Sequence, residues 1–369
     1  MLQPLPAEPG MPIDEVDTPA LLIDLDAFEH NLDAMASMAA AAGVKVRPHA
    51  KTHKSPVIAK LQMARGAVGQ CVQKVAEAEV LAWGGVSDIL VSNEIVSPRK
   101  LARLAALARI ANVAVCADNA EAVRAIEGAA RDAGVILTVL VEIDVGAGRC
   151  GVQPGPDAVA LAKRISASNN LRFGGLQAYQ GRAQHQRTLA ERQTSIEAAA
   201  AATRAVVADL AAVGLDCPIV GGAGTGTFAL EAASGIFTEL QVGSYCFMDA
   251  DYGRNDPAPP FRQALFVLGS VMSIPHPGLA VIDVGHKGVA VDSGLPLAWD
   301  RPGVTYIGAS DEHGNLALGP EARPLTLNER VWLVPGHCDP TVDRYDWYVG
   351  VRGNRVECLW PVAARGAMT

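Results

Sequence analysis

An α/β fold is predicted, a (β/α)8 barrel followed by a mainly antiparallel β domain, and three observations predict it. Between residues 26 and 250, eight short apolar, β-branched runs alternate with longer alanine-rich stretches, the pattern of repeated βα units around a parallel sheet. Beyond about residue 255 the runs are strand-like and separated by Pro, Gly and Asp turns, as in antiparallel sheets. The length of 369 residues accommodates a barrel of about 250 residues and a smaller domain. The predicted division is a barrel over 26–252 and a β domain over 253–369 that also takes in 1–25.

The elements follow in chain order. The run 20–25 precedes the first barrel strand and is assigned to the β domain. Barrel strands are expected at 44–48, 68–71, 88–92, 112–116, 137–142, 173–178, 218–222 and 239–243. Helices are clearest at 97–111 and 189–213, because these segments are too long to be strands. In the β domain, strands are expected at 263–273, 280–284 and 330–334.

Half of the residues are hydrophobic and 19% are charged, which supplies a core and excludes a disordered chain. A net charge of −8 argues against nucleic acid or an anionic membrane as the main partner, so any anion site must be built locally. The seven cysteines are scattered and include no Cys-x-x-Cys pair, which fits free thiols in a reducing compartment. The stretch MLQPLPAEPGMPIDEV has Pro and acidic residues where a secretory signal would be basic and then apolar. No charge-free apolar run approaches 18 residues, the length a membrane span needs. The expectation is a cytoplasmic protein acting on a small molecule.

In a barrel the reacting groups sit at the C-terminal ends of the strands, and the first strand runs into RPHAKTHK (47–54). That puts Lys51 just past a strand end among Arg47, His49, His53 and Lys54. A lysine crowded by cations loses its proton more easily, which favours the free amine that a Schiff base needs; the alternative is a basic loop in solvent. The seventh strand runs into GGAGTG (221–226), whose small residues let backbone N–H groups close on a phosphate. Tight turns also use glycine, and the spacing is not the dinucleotide fingerprint. Together, the lysine and the loop resemble a pyridoxal-phosphate site, with Gly243, Ser244 and Tyr245 of the eighth strand beside the phosphate.

A further cluster is PGHCDPT (335–341). If this segment is extended, His337 and Asp339 point one way and Cys338 the other. A cation is then offered one imidazole and one carboxylate; the alternative is a hydrogen-bonded turn. A carboxylate ligand is harder than a thiolate and favours Mn2+ or Mg2+ alongside Zn2+ or Co2+. His30, His276 and His313 are expected to be structural or solvated. His185, at the end of QAYQGRAQH (177–185), lies on the reactive rim and is a candidate acid/base, or else a loop residue. Arg149, in VEIDVGAGRCG (141–151), could donate to the cofactor's phenolic oxygen or pair with Asp144 or Glu142.

The stretches RPHAKTHK, CVQKVAEAE, EIDVGAGRCGV, LQAYQG, GGAGTG, ELQVGSYCFMDADYG and PGHCDPT occur in the order found in the D-threonine aldolase and D-serine dehydratase family, which the chain resembles from about residue 17 to 366. The resemblance implies an alanine-racemase-like, fold-type III pyridoxal-phosphate enzyme, usually a homodimer. It implies Lys51 as the residue that carries the cofactor, and Thr225 and Gly226 as phosphate ligands with Gly243, Ser244 and Tyr245 alongside. Gln73, Arg149 and Tyr179 then surround the cofactor ring. His337 and Asp339 match the metal ligands of the aldolases, where the dehydratases resemble His-x-Cys. The implied activity is that of a lyase cleaving D-configured 3-hydroxy amino acids to glycine and an aldehyde, acetaldehyde from D-threonine or glyoxylate from 3-hydroxyaspartate. The tail 337–366 and VDSGLP (291–296) resemble the 3-hydroxyaspartate aldolases in particular, and dehydration of D-serine or 3-hydroxyaspartate is the alternative. One departure is Ala223, where relatives usually carry a third glycine.

Overall fold

Strand β1 (Ala20–Asp24) ends in the residue that starts a helix: the Asp24 carboxylate accepts the Ala27 N–H at 3.0 Å and caps Leu25–Ala42. Leu25, Phe28, Leu32, Met35 and Ala39, three or four residues apart, form the buried face of that helix. Gly43 closes it in left-handed backbone at φ 69°. The computed structural model describes residues 4–369, and the part of the 1–25 assignment that covers 1–3 lies outside the described residues.

Eight parallel strands follow: β2 (Lys45–Val46), β3 (Gln70–Val72), β4 (Asp88–Glu94), β5 (Asn112–Ala117), β6 (Leu137–Glu142), β7 (Leu171–Gln177), β8 (Ile219–Gly222) and β9 (Glu239–Leu240). They are ordered β2-β9-β8-β7-β6-β5-β4-β3. The ring closes between β2 and β3, where Val68 N–H donates to Val46 C=O at 2.9 Å and Cys71 N–H to Pro48 C=O at 2.7 Å. The predicted barrel is therefore present. The strands that flank the closure are short, two residues in β2 and three in β3, and Pro48 has no N–H to extend the ladder.

Alternation along the strands separates two cores. Ile89, Val91, Val113, Val115, Val139 and Val141 pack outward under the helices, whereas Cys71, Leu90, Cys116 and Leu140 meet as a separate cluster. Near the N-terminal ends of the strands the buried Arg47 guanidinium pairs with Glu239 at 2.7 Å and with Asp88. The inward polar residues at the opposite ends, Gln177 and Gln241 among them, line the cavity described below.

The second sheet comprises β10 (Leu265–His276), β11 (Leu279–Ile282), β12 (Leu297–Ala298), β13 (Val304–Ala309), β14 (Gly314–Leu318), β15 (Arg330–Val334), β16 (Trp347–Arg352) and β17 (Arg355–Pro361), together with β1. Its pairs are antiparallel except β1 with β16. β1 lies between β10 and β16, with Leu22 opposite Phe266 on one side and Val349 on the other. Among the described residues no helix is long and apolar enough to cross a membrane.

The register of β7 depends on one glycine. Val139 pairs with Phe173 but Leu140 pairs with Gly175, a bulge that skips Gly174. Gly175 has φ +129°, and a Cβ there would lie 1.9 Å from the Ile219 carbonyl oxygen of β8. Gly175→Ala is expected to cost about 3 kcal/mol or more, because only a backbone shift relieves such a contact. Gly253→Ala, with nothing within 4 Å of the added carbon, should be neutral or stabilise by up to about 1 kcal/mol. Paired denaturant melts check both, and equal midpoints for the two variants would contradict the close β7–β8 approach.

Candidate active site

A cavity at the C-terminal mouth of the barrel collects Lys51, Gln73, Arg149, Tyr179, His185, Thr225, Gly243 and Ser244 from the barrel segments, with His337 and Asp339 from the segment after β15. Ten of the predicted site residues thus meet at one place. Two do not line it. The Tyr245 ring packs in the core against Phe261 at 5.6 Å, and the Gly226 N–H is held by Gln184 Oε1 at 3.0 Å.

The expected crowd of cations around Lys51 is absent, which corrects the argument for a depressed lysine. Arg47 is turned to Glu239 and Asp88, and Lys54 Nζ lies between Glu77 (3.2 Å) and Asp343 (3.0 Å). Burial and the neighbouring Lys51 push His49 well below its ordinary value, and burial lowers His53 to about 4. Lys51 is instead raised, chiefly by the Asp339 carboxylate, whose Oδ2 is 3.3 Å from Nζ. Burial works against ionisation of Asp339, but Lys51 and His337 hold its carboxyl at about 2.

The segment carrying His337 and Asp339 is not an extended strand. His337 has extended backbone (φ −145°, ψ 125°) and begins the short helix Cys338–Val342, whose first N–H is capped by Asp249 Oδ2 at 3.0 Å. Both side chains nonetheless reach the cavity, while Cys338 is buried in the core. His337 Nδ1 is 2.8 Å from Asp292 Oδ2, which leaves Nε2 to face a cation. The donor set is therefore one imidazole nitrogen and one carboxylate, the arrangement that fits a divalent ion.

The anion end has its own signature. Among the described residues Thr225 Oγ1 is buried without a hydrogen-bond partner, and Thr225 lines the cavity, so a hydroxyl stands ready for a phosphate oxygen. Ala223 turns the loop at φ 72°, in the left-handed region that favours glycine. The residues present thus fit a phosphorylated aldehyde cofactor and a metal.

Around the remaining wall, Arg149 lies over the Tyr179 ring, 5.6 Å from its centroid, with Nη2 3.9 Å from Glu142 Oε1. Burial, and Glu94 beside it, push Glu142 up to about 9, so this carboxyl keeps its proton at neutral pH. Asp144 does not compete for Arg149, since it accepts the Gly146 and Gly148 N–H groups, each at 3.0 Å. His185 Nδ1 is 2.5 Å from Asp251 Oδ2, and its ring stacks on Tyr252. His49 Nε2 lies 2.9 Å from the Gln73 amide nitrogen and 3.3 Å from Ser92 Oγ.

Residue-by-residue reading of the sequence missed Ser92, Gln177, Gln241, Asp251, Tyr252 and Asp292. Asp251 and Tyr252 stand inside ELQVGSYCFMDADYG, and Asp292 inside VDSGLP, so proximity to a motif was the available signal.

Comparison with known proteins follows this geometry. The alanine racemase N-terminal domain model matches residues 23–251, and a serine dehydratase domain model matches 264–351. The chain is 48% identical to a 3-hydroxy-D-aspartate aldolase of Paracoccus denitrificans, covering 98% of this chain and 95% of the relative. The crystal structure of a D-threonine aldolase from Filomicrobium marinum superposes with a TM-score of 0.97 at 48% identity, covering all of both chains. A D-threo-3-hydroxyaspartate dehydratase of a Delftia species is 29% identical, covering 94% of this chain and 97% of the relative. From a barrel, a lysine-bearing mouth and these matches, the chain belongs to the alanine racemase N-terminal domain family, in its group of D-threonine aldolases, 3-hydroxyaspartate aldolases and related dehydratases.

Proposed function

We propose that this chain is a carbon–carbon lyase that cleaves D-configured 3-hydroxy amino acids, of the D-threonine or 3-hydroxyaspartate type, to glycine plus acetaldehyde or glyoxylate, using pyridoxal phosphate and a divalent metal. The observation that carries this reading is a single cavity where an amine (Lys51), an orphaned hydroxyl (Thr225) and an imidazole–carboxylate pair (His337, Asp339) meet from three separate stretches of chain. The aldolase relatives at 48% identity support it, and the dehydratase relative at 29% is more distant.

In this reading the barrel, 26–252, carries the cofactor, and the β domain, 253–369 with 1–25, carries the metal. Lys51 holds the cofactor. Thr225, Gly243 and Ser244 face its phosphate, with Gly226 and Tyr245 supporting the loop, and Gln73, Arg149 and Tyr179 surround the ring. His337 and Asp339 hold the metal, and Asp292 orients His337. Bound pyridoxal phosphate supplies an electron sink for a bond to Cα held perpendicular to its ring, and a divalent ion makes a hydroxyl proton easier to lose. The cavity's polar wall, including the mutually hydrogen-bonded Gln177 and Gln241 (2.7 Å), orients the amino acid. His185 accepts the 3-hydroxyl proton at Nε2 as the Cα–Cβ bond breaks. The electrons of that bond pass to Cα, the hydroxyl carbon leaves as the aldehyde, and Cα takes up a proton to give glycine.

The absence of a thiolate from the ligand pair supports Mn2+ or Mg2+ ahead of Zn2+ or Co2+. Cys338 is buried, and burial pushes its thiol well above the ordinary range. The seven free thiols support a reducing, cytoplasmic setting, and the family resemblance supports a homodimer.

Borohydride reduction of the holoenzyme followed by peptide mapping is expected to label Lys51, and Lys51→Ala should lose both the label and nearly all turnover. A label on Lys54 would sink the assignment. Chelation should abolish turnover while the cofactor absorbance near about 400 nm persists. Asp292→Ala should weaken metal activation about 10- to 100-fold, read as the shift in the metal concentration giving half-maximal rate; an unshifted titration would remove Asp292 from the site. For the reaction type, each stereoisomer of threonine and 3-hydroxyaspartate should be assayed for glycine and ammonia. Glycine should dominate from the D-configured substrates, and an excess of ammonia would favour the dehydratase.

A further inference from the structure

We infer that Asp251, clamped by two arginines, is a positioning residue that fixes His185 as the Nδ1–H tautomer and leaves Nε2 as the proton acceptor in the cavity. The inference rests on the reading of His185 as the group that takes the 3-hydroxyl proton.

The carboxylate is divided between two tasks. Oδ1 accepts Arg187 Nη2 at 2.5 Å and Arg254 Nη2 at 2.8 Å, while Oδ2 faces His185 Nδ1, at 2.5 Å. The arginines are themselves anchored. Arg187 Nη1 donates to Asp251 C=O and Asn255 Oδ1, both at 2.8 Å, and Arg254 Nη2 to Ser293 C=O at 2.7 Å. Asp251 is 4% exposed, and its N–H donates to Gly336 C=O at 3.2 Å, which ties it to the turn that carries His337. The imidazole stacks on Tyr252, ring centroids 6.0 Å apart at 30° between planes. The ring is therefore held by its edge and by its face.

A carboxylate that receives two guanidinium groups is ionised and can only accept, so the proton between it and His185 belongs to Nδ1. Nε2 then keeps its lone pair. The charged groups around His185 are Asp251 with Arg187 and Arg254 on its Nδ1 side, and Lys51, Arg149 and Asp339 on the cavity wall. The other titratable groups on the cavity wall are His49, Tyr179, Tyr252 and His337. In the neutral ring it is therefore Nε2 that is open to a proton. When the O–H proton of the substrate passes to Nε2, its electron pair becomes the carbonyl of the leaving aldehyde.

The test uses the holoenzyme. Nitrogen-15 histidine NMR of the wild type should place the proton of His185 on Nδ1. Asp251→Asn can turn its amide to donate to Nδ1 and reverse the tautomer, so kcat should fall roughly 100-fold or more with KM and cofactor absorbance unchanged. Asp251→Glu should recover part of the loss. In a His185→Ala background, Asp251→Asn should change kcat by no more than about twofold, because the two act as one unit. A wild-type Nε2–H tautomer, a fully active Asp251→Asn, or additive losses in the double variant would each overturn the inference, and the wild-type spectrum decides even if the variants fold poorly. Full turnover by His185→Ala would instead remove the proton-acceptor reading itself.

Discussion

The carboxylate of Asp339 facing the ammonium of Lys51 at 3.3 Å is the contact on which the arrangement turns, because the two side chains belong to distant parts of the chain. Lys51 sits in a loop at the barrel rim, and that loop is held from the other side. Tyr348 Oη of β16 donates to His53 C=O at 2.8 Å, Ala364 N–H donates to Lys54 C=O at 2.9 Å, and Lys54 reaches Asp343. The cavity is thus bounded by two sheets that fix each other, and its shape requires both to be folded.

Charge within the barrel is arranged by depth. At one end, Arg47 is compensated by Glu239 and Asp88, so this cation, four residues before Lys51, is turned away from the mouth. At the other end, Glu142 keeps a proton beside Glu94, and Arg149 faces the cavity over the Tyr179 ring. The mouth carries ionised groups that a substrate or cofactor can engage, while elsewhere burial neutralises what it does not pair. Asp251 belongs to the same design: one acid serves three basic side chains and leaves one nitrogen at the wall.

The barrel was legible because its strands are short apolar runs between long helices, and β6 and β15 fall on the predicted residues. β16 and β17 were not marked as strands, since glycine and charged residues interrupt WYVGVR and RVECLWP, which pack partly through aromatic contacts from elsewhere in the chain. The local pattern also misjudged PGHCDPT, where the cap from Asp249, far away in sequence, makes a helix turn the better solution. The site residues were readable by motif, but their electrostatics were not. Adjacent basic letters suggested mutual repulsion around Lys51, whereas folding assigns each to a different acid or buries it neutral, and no count of neighbours along the chain contains that information.

The insertion of β1 between β10 and β16 makes the second sheet a unit in space but not along the chain. A polypeptide starting at residue 253 would lack its central strand and expose two open edges, which invite association with other strands. During synthesis, β1 emerges first and has no neighbour until β10 follows, then waits for β16 near the chain's end, so the barrel has the chance to close before its partner sheet is complete. The early helix Leu25–Ala42, leading out of β1, then acts as the tether that keeps the waiting strand beside the structure it will join.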